Sequence, residues 1–187
     1  MLARNFIIAC WVVFAAYWIA AAASRKRTAE RQSWASRSWY LLLIVSAFAL
    51  PLGAFVLDPL ARRVVPPGPA LDIVAAVLCA AGLVLAIWAR RAIGSNWSAI
   101  VTLKRGHELV TGGPYRYVRH PIYSAILVMF FATALAVGRV GGFVGFALCF
   151  ASFWIKLRQE EALLMRHFPN DYAAYRTRVK ALVPFVI

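Results

Sequence analysis

Acidic side chains are scarce in this chain: seven Asp and Glu stand against 21 Lys and Arg, a formal net charge of +14. Such an excess raises nucleic-acid binding as a possibility, which the placement of the charges must decide. Cysteine is also sparse. Cys10, Cys79 and Cys149 show no CxxC spacing and no histidine at ligand spacing, which argues against a disulfide framework or a metal centre and leaves them as small apolar packing residues. The chain has no internal repeat, Walker loop, dinucleotide fingerprint or GxSxG elbow, so ATPase, Rossmann-type and α/β-hydrolase chemistry lack their usual signatures.

What the chain has in abundance is hydrocarbon. With 63% hydrophobic residues and a mean hydropathy of +0.70, it falls outside the soluble class. The runs 2–23, 39–57 and 71–89 are each near the roughly 20 residues needed to cross about 30 Å of hydrocarbon. The stretch 122–155 is apolar too, broken at Gly138-Arg139, and its halves suit a hairpin of shorter helices at 122–137 and 141–157. The expected fold is therefore an all-α integral membrane bundle of five transmembrane helices, one domain over 1–187. A polar region at 93–123 and interfacial C-terminal helices within 156–187 complete it.

Arg4 followed by an apolar run ending Ala21-Ala22-Ala23-Ser24 also reads as a signal peptide. The run is long for a signal core, and Arg25-Lys26-Arg27 would resist export. With five spans, residues 24–38, 90–121 and 156–187 share one side and hold 17 of the 21 basic residues and five of the seven acids. That asymmetry places them in the cytoplasm, with the N-terminus outside and the C-terminus inside. The charge thus points to membrane lipids with anionic headgroups and away from nucleic acid.

Several local features follow from residue type. Trp11, Phe14, Tyr17 and Trp18 face lipid or a neighbouring helix, while Trp34, Trp39 and Trp97 read as interfacial anchors. Pro51 predicts a kink, and Pro66-Pro67-Gly68-Pro69 a stiff turn. Arg90-Arg91 reads as a cytoplasmic stop after the third helix. Gly138, Gly141, Gly142 and Gly145 give small-xxx-small spacings that fit close helix packing. Asn170 or Asp171 is the expected cap of a last short helix.

The stretch Gly106–Tyr123, GHELVTGGPYRYVRHPIY, is polar and aromatic inside an otherwise apolar chain. Irregular backbone of this kind cannot face lipid, so it lies at the membrane edge or lines a cavity. Pro121 suits the first position of a helix, which puts His120 in an extended conformation before it. Arg119, His120 and Tyr123 then surround one helix N-terminus, a place of positive potential. Lys156 with Glu160-Glu161 falls on the same side after the fifth span, and a hairpin brings the two groups together. Carboxylates for an amine, aromatic walls for a flat ring and cations for a carboxylate would converge there.

At these residues the sequence resembles the isoprenylcysteine carboxyl methyltransferases and their bacterial relatives within the phospholipid methyltransferase superfamily. NWSA at 96–99, GHELV at 106–110, GPYRYVRHPIY at 113–123, Glu160-Glu161 and HFPNDYAAYRTRV at 167–179 carry the likeness, in detail over roughly 90–187. The resemblance implies a multi-pass enzyme of the bacterial inner membrane that uses S-adenosylmethionine. The cofactor would be held by His107, Glu108, Leu109, Val110, Tyr115, His120, Pro121, Ile122, Tyr123 and the Glu160-Glu161 pair. Glu160 would take its amino group, 120–123 its carboxylate end and 107–110 its adenosine. The family carries Arg four residues before the first Glu to orient the acceptor's carboxylate. Here Lys156 stands in its place, keeping the charge but losing the planar two-point grip, with Arg119 and Arg158 as possible compensating cations.

The acceptor would be a lipophilic small molecule or prenylated substrate. A carboxylate is ionised at neutral pH, so its methylation needs alignment and exclusion of water more than a base. An amine acceptor, as in phospholipid N-methylation, must lose a proton, giving His120 or Glu161 a role as base. Membrane sterol reductases share an RHPxY-like end, and a non-enzymatic scaffold is the remaining alternative.

Overall fold

The computed structural model describes residues 2–21, 28–31, 42–43, 45–47, 49, 58–97, 102–104 and 109–186. Among the described residues four long helices build the body: α1 (Leu2–Ala21), α3 (Pro69–Ile93), α4 (Pro121–Val137) and α5 (Val140–His167). One turn of helix, α2 (Asp58–Ala61), precedes α3, and α6 (Pro169–Arg178) follows α5. Helices α1, α3 and α5 are long and apolar enough to cross a membrane, and α4 is a shorter apolar helix of 17 residues. The chain is a membrane protein of helical architecture. Of the expected second span, only the helical residues 42–43, 45–47 and 49 are described; the Pro51 kink, Trp34 and Trp39 lie outside the described residues.

Packing runs α1 on α3, α3 on α4 and α4 on α5. The sequence of α3 explains its intimacy with α4. Ala75, Cys79, Gly82, Ala86 and Ala89 recur at helical spacing as one buried stripe, so two backbones approach where bulk would hold them apart. A Cβ on Gly82 would stand 2.7 Å from Met129 Cγ and 2.9 Å from the Ala125 carbonyl. The α4–α5 hairpin uses the glycines as expected: Gly141, Gly142 and Gly145 are buried, and a Cβ on Gly142 would meet Ala134 Cα at 3.1 Å. Gly138 makes the turn at φ 64°, in the left-handed region.

The aromatic residues of α1 turn into helix contacts. Trp11 Nε1 donates to Thr133 Oγ1 at 3.1 Å and meets Phe130 edge-on, while Phe14 stacks on Trp18 at 4.2 Å. Trp18 in turn meets Trp97. Trp97 is therefore a buried core residue and not the interfacial anchor the sequence implied, because Arg90 lies 4.8 Å above its ring and keeps it inside.

Two further expectations change. The segment after α3, read as turns alone, contributes β2 (Thr102–Lys104), which pairs antiparallel with β1 (Thr28–Arg31). This small ribbon gives the backbone of two polar segments hydrogen-bond partners. Helix α6 starts at Pro169 with Phe168 at its cap position and no side-chain cap, so neither Asn170 nor Asp171 caps it. Proline preset for the first helical position takes over, and Asp171 sits in the first turn, favourable to the helix dipole.

Helix α5 is continuous over 28 residues, about 42 Å at 1.5 Å per residue and longer than about 30 Å of hydrocarbon. Its apolar composition ends at Ile155, so the turns carrying Glu160 and Glu161 extend past the spanning part. The site is built on that extension.

Candidate active site

Pro121 starts α4 as the sequence requires, and the residues before it are held by the C-terminal segment. Arg119 N–H donates to Lys180 O at 2.8 Å, His120 N–H to Ala181 O at 2.9 Å, and Ser124 Oγ to Leu182 O at 2.6 Å. Val118 pairs with Lys180 in a parallel bridge. His120 sits at φ −124°, ψ 59°, short of the extended region expected, because both faces of its backbone are tied: its carbonyl accepts from Ser124 N–H.

Helix α5 supplies the acids. His120 Nδ1 lies 3.7 Å from Glu160 Oε2 and its Nε2 3.2 Å from Glu161 Oε1, so the two polar groups meet as the hairpin implied. The two glutamates differ in surroundings. Glu161 is buried, and its Oε1 takes Arg119 through Nε (2.8 Å) and Nη2 (2.7 Å), while Arg176 Nε stands 3.7 Å from Oε2. Burial alone would raise its pKa. Hydrogen bonds from His120 and Arg119 outweigh that and bring it down to about 2, a firmly ionised carboxylate. Glu160 is 23% exposed and accepts from Tyr123 Oη at 2.7 Å, leaving its other oxygen toward His120 Nδ1.

A stack of rings backs this acid. His120 lies parallel to Tyr123 at 5.4 Å, and Tyr123 to Phe153 at 4.6 Å. Lys156, one helical turn before Glu160 and buried, holds its Nζ 5.2 Å from the Tyr123 ring centroid. Pro121 and Ile122 are buried at the start of α4.

Tyr115 sits in a 3₁₀ turn, Gly113–Arg116, that Gly113 enters at φ 59°. Its carbonyl accepts from Tyr175 Oη at 2.5 Å. Burial first, then the charge of Glu160, raises the Tyr115 hydroxyl pKa, so it stays a proton donor at neutral pH. Leu109 and Val110 are half-buried, Val110 against the core below the site. His107 and Glu108 lie outside the described residues.

The compensating cations separate. Arg119 is committed to Glu161, to the Arg176 carbonyl at 3.4 Å and to the Val179 carbonyl, whereas Arg158 is exposed on α5. Among the described residues no cluster of three or more metal-ligating side chains occurs.

Sequence reasoning missed three participants. Arg90, read as a topological stop, is buried and donates to Ala21 O (2.8 Å) and Gly94 O (2.6 Å), joining the ends of α1 and α3, close enough for its charge to act on Tyr115. Its place seven residues before Trp97 was the available signal. Arg176 and the fully buried Tyr172 come from the HFPNDYAAYRTRV run, and both stand beside Glu161. The 180–182 strap had no sequence signature beyond its apolar character.

The chain is similar to several known proteins. The chain is 34% identical over 96 residues to the protein-S-isoprenylcysteine O-methyltransferase of Schizosaccharomyces pombe, covering 50% of this chain and 41% of that protein. It is 29% identical over 152 residues to protein-S-isoprenylcysteine O-methyltransferase B of Arabidopsis thaliana, covering 78% and 77%. The Xenopus laevis enzyme of the same name matches at 29% over 119 residues, covering 62% of this chain and 41% of its own length. The alignments thus span well under half of the fission yeast and frog proteins. The profile of the phospholipid methyltransferase (PEMT) family matches residues 71–171, from the first turn of α3 into α6, and the chain belongs to that family.

Proposed function

We propose that this protein is an S-adenosylmethionine-dependent methyltransferase of the membrane boundary that methylates the carboxylate of an isoprenylcysteine-like lipophilic acceptor. The observation that carries the reading is the junction of Glu160, Tyr123 and His120 beyond the end of the apolar part of α5. The residues there fit the cofactor. Glu160 is a partly exposed carboxylate able to accept from an ammonium, and the stacked His120–Tyr123–Phe153 rings form a flat wall. Leu109 and Val110 would bear on adenosine together with His107 and Glu108. When bound, S-adenosylmethionine supplies an electrophilic methyl group. The chain's own residues align, shield and neutralise: Glu160 and the 120–123 turn orient one partner, and Lys156 places a cation for the acceptor's carboxylate. Because that carboxylate is already ionised at neutral pH, no residue need take a proton.

This reading includes five spans, the second of them at 39–57, with the N-terminus outside and the site on the cytoplasmic side of a bacterial inner membrane. The lipophilic acceptor would enter sideways from the bilayer. The O-methyltransferase names of the relatives support the acceptor assignment.

The family description and Lys156 in place of arginine favour phospholipid N-methylation as a second reading. An amine acceptor must lose a proton, and Glu161, held by the guanidinium groups of Arg119 and Arg176 and in contact with His120 Nε2, is a poor base. His120 Nδ1 would carry that role.

Calorimetric titration with S-adenosylhomocysteine tests the first step: saturable binding is expected, weakened at least tenfold in Glu160→Ala, and none for wild type would end the proposal. Labelled cofactor offered with acetyl-farnesyl-cysteine or phosphatidylethanolamine then separates the acceptors by which product carries label.

A further inference from the structure

At the other end of α4, 17 residues or about 25 Å from the His120 turn, two arginines face each other. Arg63 and Arg139 oppose one another in an antiparallel bridge. Val140 N–H donates to Arg62 O at 3.0 Å, and Val64 and Val65 N–H donate to Gly138 O at 2.9 and 3.2 Å. Directly opposed residues of such a pair project from the same face with Cβ atoms roughly 5 Å apart, and like charges there repel. The fold nevertheless makes room for them. A Cβ on Gly138 would stand 2.6 Å from Arg63 Nη1, so glycine at that turn lets the guanidinium lie across it. Arg63 Nη1 spends one donor on Val65 O at 3.2 Å. Both side chains are exposed, and among the described residues neither forms an ion pair with a carboxylate.

We propose that Arg63 and Arg139 form a binding site for the phosphodiester headgroup of an anionic phospholipid. The forked N–H edges that the two guanidinium groups keep free suit the bidentate geometry of a phosphate diester, and the anion removes the repulsion built into the pair. The N-terminus of α5, which starts at Val140, adds positive potential beside it. A lipid is the source because the pair sits where α4 ends and α5 begins, level with the first turns of α3. On those turns of α3, Ile73 and Val77 are exposed apolar side chains that acyl chains would cover. Arg62, the residue before Arg63, is also exposed but is not the partner of Arg139 in the bridge, and it provides an internal control. This inference is independent of the catalytic reading, since it concerns the opposite end of the bundle.

Native mass spectrometry of the full chain in phosphatidylglycerol–phosphatidylcholine micelles tests it. One phosphatidylglycerol retained in preference to phosphatidylcholine is expected for wild type and for Arg62→Gln, with at least tenfold weaker retention in Arg63→Gln/Arg139→Gln. Equal retention by the double variant would overturn the site. Equal loss in Arg62→Gln would reduce it to bulk charge. Should the double Gln variant not fold, Arg63→Lys/Arg139→Lys keeps the charges without the forks and should still weaken retention several-fold; unchanged retention would count against the site. Free glycerol phosphate added at the same concentration must compete poorly, and competition as strong as the lipid's would refute a lipid ligand.

Discussion

Two adjacent glutamates should fail in opposite ways. Glu161 is 6% exposed by side chain, its partners Arg119 and His120 are 8% exposed, and its carboxylate closes α5 onto the pre-α4 turn. Glu161→Ala leaves an uncompensated buried guanidinium, a loss of about 3–5 kcal/mol by analogy with broken buried pairs. The carboxyl's own titration gives a similar figure. Lowering it from an ordinary value near 4.5 to about 2 corresponds to roughly 3 kcal/mol favouring the folded state at neutral pH. The sign is that of a depressed acid: the contribution is complete above the unfolded pKa and disappears as pH falls from about 4.5 through about 2. Glu160, 23% exposed, loses one tyrosine hydrogen bond, so Glu160→Ala should cost only about 1 kcal/mol of stability while abolishing most S-adenosylhomocysteine binding. Thermal unfolding in detergent at pH 7 and pH 4, run beside calorimetry, measures both. If Glu161→Ala unfolds at the wild-type midpoint at pH 7, or if wild type's lead over Glu161→Ala does not narrow between pH 7 and pH 4, the lock is not what holds the turn.

Gly82→Ala should destabilise the protein by about 1–3 kcal/mol, because the new Cβ meets the Ala125 carbonyl as well as the flexible Met129. Gly112→Ala, with nothing within 4 Å, should be neutral to about 0.5 kcal/mol, and equal effects in thermal unfolding would defeat the close-approach argument. Arg90→Lys keeps the charge but cannot donate to both Ala21 O and Gly94 O while covering Trp97; about 1–3 kcal/mol is expected, and an unchanged midpoint would reject a structural role.

The apolar runs were legible because length and composition alone decide whether a helix suits hydrocarbon. Pro121 marked the start of α4, and the hairpin logic then put Glu160 beside His120 with no further information. What stayed hidden depended on tertiary contact. Arg90 next to Arg91 looked like a topological flank, yet only one of the two turns inward, and burial turned Trp97 from a surface residue into a core one. The α3 stripe of Ala, Cys and Gly was present at helical spacing, but such residues carry meaning only when a partner helix lies against them. By residue type alone Glu160 and Glu161 are equivalent, and only the family resemblance singled out Glu160; nothing in the sequence says which one Arg119 will claim.

That division of the pair explains why a polar site can stand at the end of an apolar bundle. Between helices in lipid, small residues and close backbone contact supply cohesion, as along α3 and α4. Beyond Ile155 that source ends, and a loop rich in Gly and Pro would have little apolar area to hold it. Glu161 substitutes for it by drawing Arg119, His120 and Arg176 from two other segments, while the 180–182 backbone pairs with 118–120. Because Glu161 satisfies the local cations, Glu160 one residue earlier keeps a carboxylate oxygen toward His120 and solvent, which is what the proposed binding of the cofactor's ammonium requires. One acid is consumed in making the site so that its neighbour can be presented by it.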